Sequence, residues 1–227
     1  MHTFVYIDGF NLYHYVNKFS DKNLKWVSLP KLIELFEVKN PKIKFFTSRP
    51  EHIKYQGDSK LQRHDNYIDL QKALGVEVIN GTFKRSNVKC KRCDNHGLLC
   101  PKCNTGKMYE HEEKQTDVNL ALNIITDCFL HKPNEIIICS SDTDFLPVLK
   151  IIKIHNLAKT VKFLIPPNVS KVPQDIRMGL QEFYSLPHYK RQNNHLKITI
   201  MNEFHFKKAK LPDEVIVNGR KFINPYI

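Results

Sequence analysis

The chain has 227 residues, with 35 lysines and arginines against 23 aspartates and glutamates, for a formal net charge of +12. Its 41% hydrophobic and 26% charged content supplies a sizeable core and excludes disorder along the whole chain. No stretch reaches the roughly 18 uninterrupted apolar residues of a membrane span, and the short apolar run behind Met1 lacks a small-residue cleavage site, so the expectation is a cytoplasmic protein with no membrane partner.

In chain order, residues 3–7 form an apolar strand that stops at Asp8-Gly9, and residues 11–18 a helical turn. Ser28-Leu29-Pro30 opens a helix, the serine capping it and the proline tolerated in its first turn, with Leu32, Ile33, Leu35 and Phe36 on one face. A strand at 43–47 ends in Ser48-Arg49-Pro50, a polar loop covers 51–60, and a helix at 62–74 stops at Gly75. Residues 76–83 form the third strand. A cysteine-rich block at 86–112 interrupts the pattern. A helix follows at 117–130, with Val118, Ala121, Leu122, Ile125 and Phe129 expected on its buried side. Residues 135–139 are β-branched, as in a strand buried on both faces. They lead through Ser140-Ser141-Asp142-Thr143-Asp144 into a helix with Pro147 near its start. A strand at 161–165, a helix at 174–184, and short strands at 196–201, 215–217 and 221–223 complete the chain, with Asn218-Gly219 as a hairpin turn. The alternation predicts a mainly parallel sheet covered on both faces. The domain boundaries read as 1–187, interrupted at 86–112, followed by a C-terminal β extension over 188–227.

Four of the six cysteines fall at Cys90, Cys93, Cys100 and Cys103, a C-x2-C-x6-C-x2-C spacing. Each pair turns two sulfurs toward one ion, which predicts a closed, structural zinc site. The block is poor in apolar residues, so the metal would stand in for a core. Cys128 and Cys139 lie in apolar runs and read as inert core residues.

In open α/β sheets ligands bind beyond the carboxyl ends of the strands. Asp8 ends the first strand, Asp142 and Asp144 follow the strand at 135–139, and Asp117 opens a helix. Singly, each could cap a helix or sit in a turn. Four carboxylates gathered at one rim repel one another unless a hard cation such as Mg2+ or Mn2+ joins them. Such a centre suits phosphodiester hydrolysis by activated water, with the basic surface holding further phosphates. Asn11 could orient a carboxylate or a phosphate, and Lys84 and Lys114 are candidate phosphate ligands.

These segments resemble the NYN family, a branch of the PIN-like nucleases. Val5-Tyr6-Ile7-Asp8-Gly9-Phe10-Asn11-Leu12-Tyr13 resembles its first-strand motif, and Glu113-Lys114-Gln115-Thr116-Asp117-Val118-Asn119-Leu120-Ala121 its central helix motif. Ser140-Ser141-Asp142-Thr143-Asp144-Phe145 resembles its third motif, and Tyr55-Gln56-Gly57 with Tyr67-Ile68-Asp69-Leu70 is also similar. The resemblance spans about residues 3–165. It implies a PIN-like three-layer α/β/α sandwich and an Mg2+- or Mn2+-dependent ribonuclease centre. Asp8, Asp117, Asp142 and Asp144 would be the metal-binding acids, and Asn11 an auxiliary. The cysteine block departs from the minimal family pattern and could serve folding, RNA capture or a partner.

A second class of function is a nucleic-acid-binding or scaffold protein with a weak centre. Other phosphate enzymes fit less well: Phe10 stands where a haloacid-dehalogenase-type phosphatase needs a second aspartate, Asp8 where a topoisomerase–primase-type centre has glutamate, and no G-x4-G-K-[ST] loop occurs. RNA is the expected partner, with DNA still open. Strand preference, one metal or two, and oligomeric state are not legible. Phe204 and Phe206, beside Lys207, Lys208 and Lys210, could stack bases or pack the extension, and packing is the expectation.

Overall fold

A computed structural model describes residues 3–50, 59–87, 109–167, 172–184 and 198–227. The first half comprises β1 (Thr3–Asp8), α1 (Gly9–Val16), a 3-10 turn at Lys22–Lys25, α2 (Leu29–Glu34), β2 (Pro41–Ser48), α3 (Ser59–Ala73), β3 (Glu77–Asn87) and β4 (Tyr109–Lys114). The second half comprises α4 (Thr116–His131), β5 (Glu135–Cys139), α5 (Leu146–Ile154), β6 (Thr160–Ile165), α6 (Gln174–Tyr184), β7 (Ile198–Ile200), α7 (Glu203–Ala209), β8 (Glu214–Val217) and β9 (Arg220–Ile223). Local chemistry explains several boundaries. Ser28 caps α2 by accepting a hydrogen bond from the Lys31 N–H, and Gly75 leaves α3 at φ +87°, a conformation that a side chain disfavours. No helix among the described residues is long and apolar enough to cross a membrane.

Seven strands form one sheet in the order β4-β3-β2-β1-β5-β6-β7. Six are parallel, and β4 lies antiparallel to β3 at one edge. Alternation along β1 sends Phe4 and Tyr6 into the core beneath α4, α5 and α6, and Val5 and Ile7 into the core shared with α1, α2 and α7. The result is the three-layer α/β/α sandwich that the alternation and the resemblance led us to expect.

The helix at 117–130 sits in a different phase from the expected one. Leu120, Ile124 and Cys128 are fully buried, whereas Val118, Leu122 and Phe129 are 61%, 59% and 51% exposed; Ala121 and Ile125 flank the core. α4 carries two apolar stripes, each at helical spacing, and the one with a polar member faces inward. Asp127 lies on the buried stripe because Tyr6 and Lys44 meet it there.

The C-terminal part is not purely β. Strand β7 extends the main sheet beside β6, pairing Phe163 with Ile198. Helix α7 follows, with a capping box between Asn202 and His205, and Phe206 packs edge-on against Phe19 at 5.4 Å between ring centroids. Phe206 thus packs as expected, while Phe204 stays 60% exposed. The hairpin of β8 and β9 turns at Asn218 (φ 50°) and Gly219 (φ 76°) and covers Trp26 and Leu70.

Strand β4 was not foreseen, since its residues fell within the cysteine block and its neighbour. It pairs with β3 from Thr82–Lys114 to Asn87–Tyr109. The four cysteines of the expected zinc site, and Tyr55-Gln56-Gly57 of the resemblance, lie outside the described residues. Cys128 and Cys139 are buried, and burial pushes the thiol of Cys128 up to about 12 and that of Cys139 higher still, which makes both inert.

Candidate functional site

From β1 the chain builds outward through β2 and β3, then returns to place β5 on β1's other side. The crevice between β1 and β5 is the topological switch point, where helices leave the sheet in opposite directions and a ligand can reach the strand ends. Asp8, the last residue of β1, stands there with 4% of its surface exposed. Its Oδ1 accepts the Asn11 N–H at 2.9 Å, capping α1, and its Oδ2 accepts the Ser140 hydroxyl at 2.9 Å. Gly9 is required behind it, because a Cβ would come within 2.5 Å of the Phe46 carbonyl.

Asn11 ties the first motif to the third. Its Oδ1 accepts from the Ser141 N–H at 3.1 Å and the Ser141 hydroxyl at 3.2 Å. In the same loop the Asp142 N–H donates to Ser140 Oγ, and the Asp144 N–H to Asp142 Oδ1. The third wall is the junction of β2, β4 and α4. Ser48 donates to Glu113 Oε1 at 2.9 Å and lies 3.1 Å from the hydroxyl of Thr116, which opens α4. Asp117 follows on the first turn of α4. Gly81 underlies this junction, since a Cβ there would press on Ser48, Thr116 and the Lys114 carbonyl.

The electrostatics tie these acids together. Burial pushes the Asp8 carboxyl up to about 6; the bonds from Asn11 and Ser140 oppose the rise, and the charges of Asp117 and Asp142 add to it. Asp117 is raised by desolvation and then by Asp142 and Asp144. Glu113 is raised by desolvation and by Asp117, against the Ser48 and Thr116 hydrogen bonds. Among the described residues no lysine, arginine or histidine forms an ion pair with any of these five acids. Such a donor set is chemically suited to a hard divalent cation. As the side chains stand, no three histidine, cysteine, aspartate or glutamate groups among the described residues are gathered closely enough to hold one.

Sequence reasoning brought Asp8, Asn11, Asp117, Asp142 and Asp144 to one rim, and the fold places all five there. It missed Glu113 as an acid of the site, although Glu113 belongs to the same quoted motif as Asp117. It also missed the supporting hydroxyls of Ser48, Thr116, Ser140 and Ser141. Lys84 is exposed on β3, and Lys114 is paired with Glu112 at 2.8 Å. Neither has a side-chain contact to the aspartates among the described residues.

A second polar cluster lies farther along α4. Asp127 accepts from Tyr6 Oη at 2.9 Å and pairs with Lys44 Nζ at 2.8 Å, while Lys44 also donates to Asn123 Oδ1 at 3.0 Å. Burial, and then the Asp127 charge, push the Tyr6 hydroxyl far above its ordinary range. Here an acid has a cation and a donor, and its chemistry is spent on structure.

A family model described as the NYN domain matches residues 2–186. A 6-hydroxy-3-succinoylpyridine 3-monooxygenase of Pseudomonas putida is 25% identical over 247 aligned positions, covering 97% of this chain and 73% of that protein. No solved structure gives a significant match.

Proposed function

The chain belongs to the NYN domain family, whose members are generally PIN-like nucleases acting on RNA, and on that premise we propose that it is a divalent-metal-dependent endoribonuclease. The observation that carries this reading is the gathering of Asp8, Glu113, Asp117, Asp142 and Asp144 at the rim with no cation among the described residues paired to them. Asp8, Asp117, Asp142 and Asp144 would hold Mg2+ or Mn2+. The ion would neutralise phosphate charge and supply an activated water. The chain's own contribution is positioning: Asn11 and Ser140 fix the Asp8 carboxylate, Asn11 holds the Ser141 backbone, and Ser48 orients Glu113. The basic surface, Lys84 and Lys114 included, would draw the RNA backbone to the rim.

The test is cleavage of labelled single-stranded RNA with Mn2+, with Mg2+ and with EDTA, comparing the parent and Asp142→Asn. Metal-dependent cutting that the variant lacks supports the proposal. Equal cutting by both overturns the site assignment. No cutting by either, with salt-sensitive RNA binding intact, moves the reading to a binding or scaffold role. A DNA strand run in parallel decides the sugar.

The spacing of Cys90, Cys93, Cys100 and Cys103 supports a structural zinc ion in this chain as a separate part of the proposal. Elemental analysis of the parent and Cys90→Ser tests it: about one zinc per chain in the parent and loss in the variant is the expected result, and no zinc in the parent overturns it. The acids gathered at the rim suit hydrolysis of a phosphodiester better than the monooxygenase activity in the name of the Pseudomonas relative.

A further inference from the structure

A cavity of about 710 Å³ adjoins the acidic rim, between α1 and α3 over β2. It falls within the size range of small-molecule sites. Leu12, Val16 and Phe45 give it an apolar floor, and it reaches the rim at Gly9, Phe10 and Ser48. Of its lining residues, the sequence offers only Phe206 as a possible base-stacking group, and there packing is the expectation.

Two kinds of group meet at its mouth. The first is aromatic: Phe10 and Tyr13 are 56% and 53% exposed, although large rings usually find cover, and Tyr226 lines the same wall. The second is cationic: Lys22, Lys25 and Arg63 all line the cavity. Lys22 is fixed by the end of α1, donating to the carbonyls of Asn17 at 2.7 Å and Phe19 at 2.9 Å, and Lys25 donates to Asn17 Oδ1 at 2.6 Å. The Lys25 ammonium lies over the Tyr13 ring at 4.9 Å and the Tyr226 ring at 5.6 Å. Among the described residues no carboxylate pairs with Lys22, Lys25 or Arg63. Lys25 is correspondingly pushed below its ordinary range, by burial first and then by the charges of Lys22 and Arg63.

Held cations crowded beside exposed rings over an apolar floor complement a flat ring that carries an anionic group. Phosphate relieves the crowding of like charges, and a base stacks on the rings. We infer that this cavity binds a nucleoside phosphate, with the base against Phe10, Tyr13 and Tyr226 and the phosphate toward Lys22, Lys25 and Arg63. The ligand has two sources, a free nucleotide or a nucleotide of an RNA chain. Occupancy by a free nucleotide does not depend on the nuclease reading; simultaneous occupancy of cavity and rim by one RNA does.

The test is calorimetric titration of the full chain without added divalent metal. The probes are uridine 5′-monophosphate, uridine, inorganic phosphate, a pyridine carboxylate, and short oligouridylates with and without a 5′-phosphate. Asp142→Asn serves for the oligonucleotides, so that cleavage does not interfere. Uridine monophosphate is expected to bind about tenfold or more tightly than uridine or phosphate alone. Arg63→Ala and Tyr13→Ala each weaken it by about fivefold or more. Arg63 carries no ion pair among the described residues, so its removal leaves the fold intact, which a matching melting curve checks. Pocket-dependent binding of the mononucleotide alone assigns a free effector. Tighter binding of the 5′-phosphorylated oligonucleotide, lost in Arg63→Ala, assigns an RNA chain.

The inference is overturned by no binding up to about 5 mM, by affinity unchanged in both variants, or by tighter binding of the pyridine carboxylate. Its failure is separable from that of the nuclease reading. RNA cleavage without nucleotide binding overturns the cavity assignment alone, and nucleotide binding without cleavage overturns only the catalytic one.

Discussion

Asp117 and Asp127 share helix α4 but live in opposite surroundings. Asp127 is buried against the middle of the sheet, where Lys44 and Tyr6 satisfy its charge. Asp117, at the strand-end rim, faces Asp142, Asp144 and Glu113, and no protein cation among the described residues answers them. The paired cluster holds the sheet to the helix. The unpaired one is electrostatically unfavourable in the protein alone, as expected of a site that awaits a positive partner.

The largest expected effect breaks the acidic side. Asp142→Asn should lose more activity than the roughly 10–100-fold typical of outer-shell partners of metal sites, read as kcat/KM on labelled RNA, while melting at or above the parental temperature. Breaking the paired side should do the reverse. Asp127→Ala leaves the buried Lys44 ammonium with only Asn123 and a longer, 3.8 Å pair to the exposed Glu77, and should cost about 3 kcal/mol, the lower end for breaking a buried pair, measured by urea unfolding, with the activity of the folded fraction unchanged. Replacing the whole cluster (Tyr6→Phe, Lys44→Met, Asp127→Leu) should be far milder, since no unpaired charge remains.

Asp8→Asn sharpens the contrast through stability. Burial pushes its carboxyl in the folded chain up to about 6, above the ordinary value of 3.8. Between these values the native chain binds more protons than the unfolded one, so the parent gains stability as pH falls through this window. At neutral pH the ionised group therefore costs stability, and Asp8→Asn should add about 1–2 kcal/mol, below the full linkage value of roughly 3 because Asn keeps only part of the hydrogen bonding. The advantage should vanish below about pH 4, as thermal melts of parent and variant across pH would reveal. An Asp8→Asn variant less stable than the parent at pH 7.5 would contradict this electrostatic account.

The smallest effect concerns a positioning residue. Asn11→Ala releases the Ser141 backbone and hydroxyl and should cost about 1 kcal/mol of stability and roughly tenfold in cleavage. Rescue by Asn11→Asp is not expected, because a further carboxylate beside Asp8 adds repulsion. If Asn11→Asp matches the parent in activity, the amide is not the orienting group.

Much of the site was legible because its acids follow or precede strands and helices whose signals are local. Asp8-Gly9 ends an apolar run, and Ser140-Ser141-Asp142 ends a β-branched one. Glu113 carries no such signal: residues 109–112 of its strand fall in the expected cysteine block at 86–112, and Glu113 follows as one charge in Glu112-Glu113-Lys114, with no apolar run to mark a strand. The hydroxyls of Ser48 and Thr116 carry no signal of their own; they matter only because β2 and α4 bring them 3.1 Å apart.

The sequence alone determined the alternation of strands and helices, the Ser28 cap, the Gly75 stop, the Asn218-Gly219 turn and the acids at strand ends, since periodicity and turn chemistry act over a few residues. Only the tertiary structure decided which stripe of α4 turns inward, that β4 and β7 join the main sheet, that Asp127 rather than Asp117 finds a lysine, and that aromatic rings and cations from α1, α3 and the last residues line one cavity. Those outcomes depend on partners far away in the chain. A helix with two apolar stripes buries whichever one the sheet can satisfy, and here the stripe containing Asp127 faces inward because Lys44 and Tyr6 were already there to meet its charge.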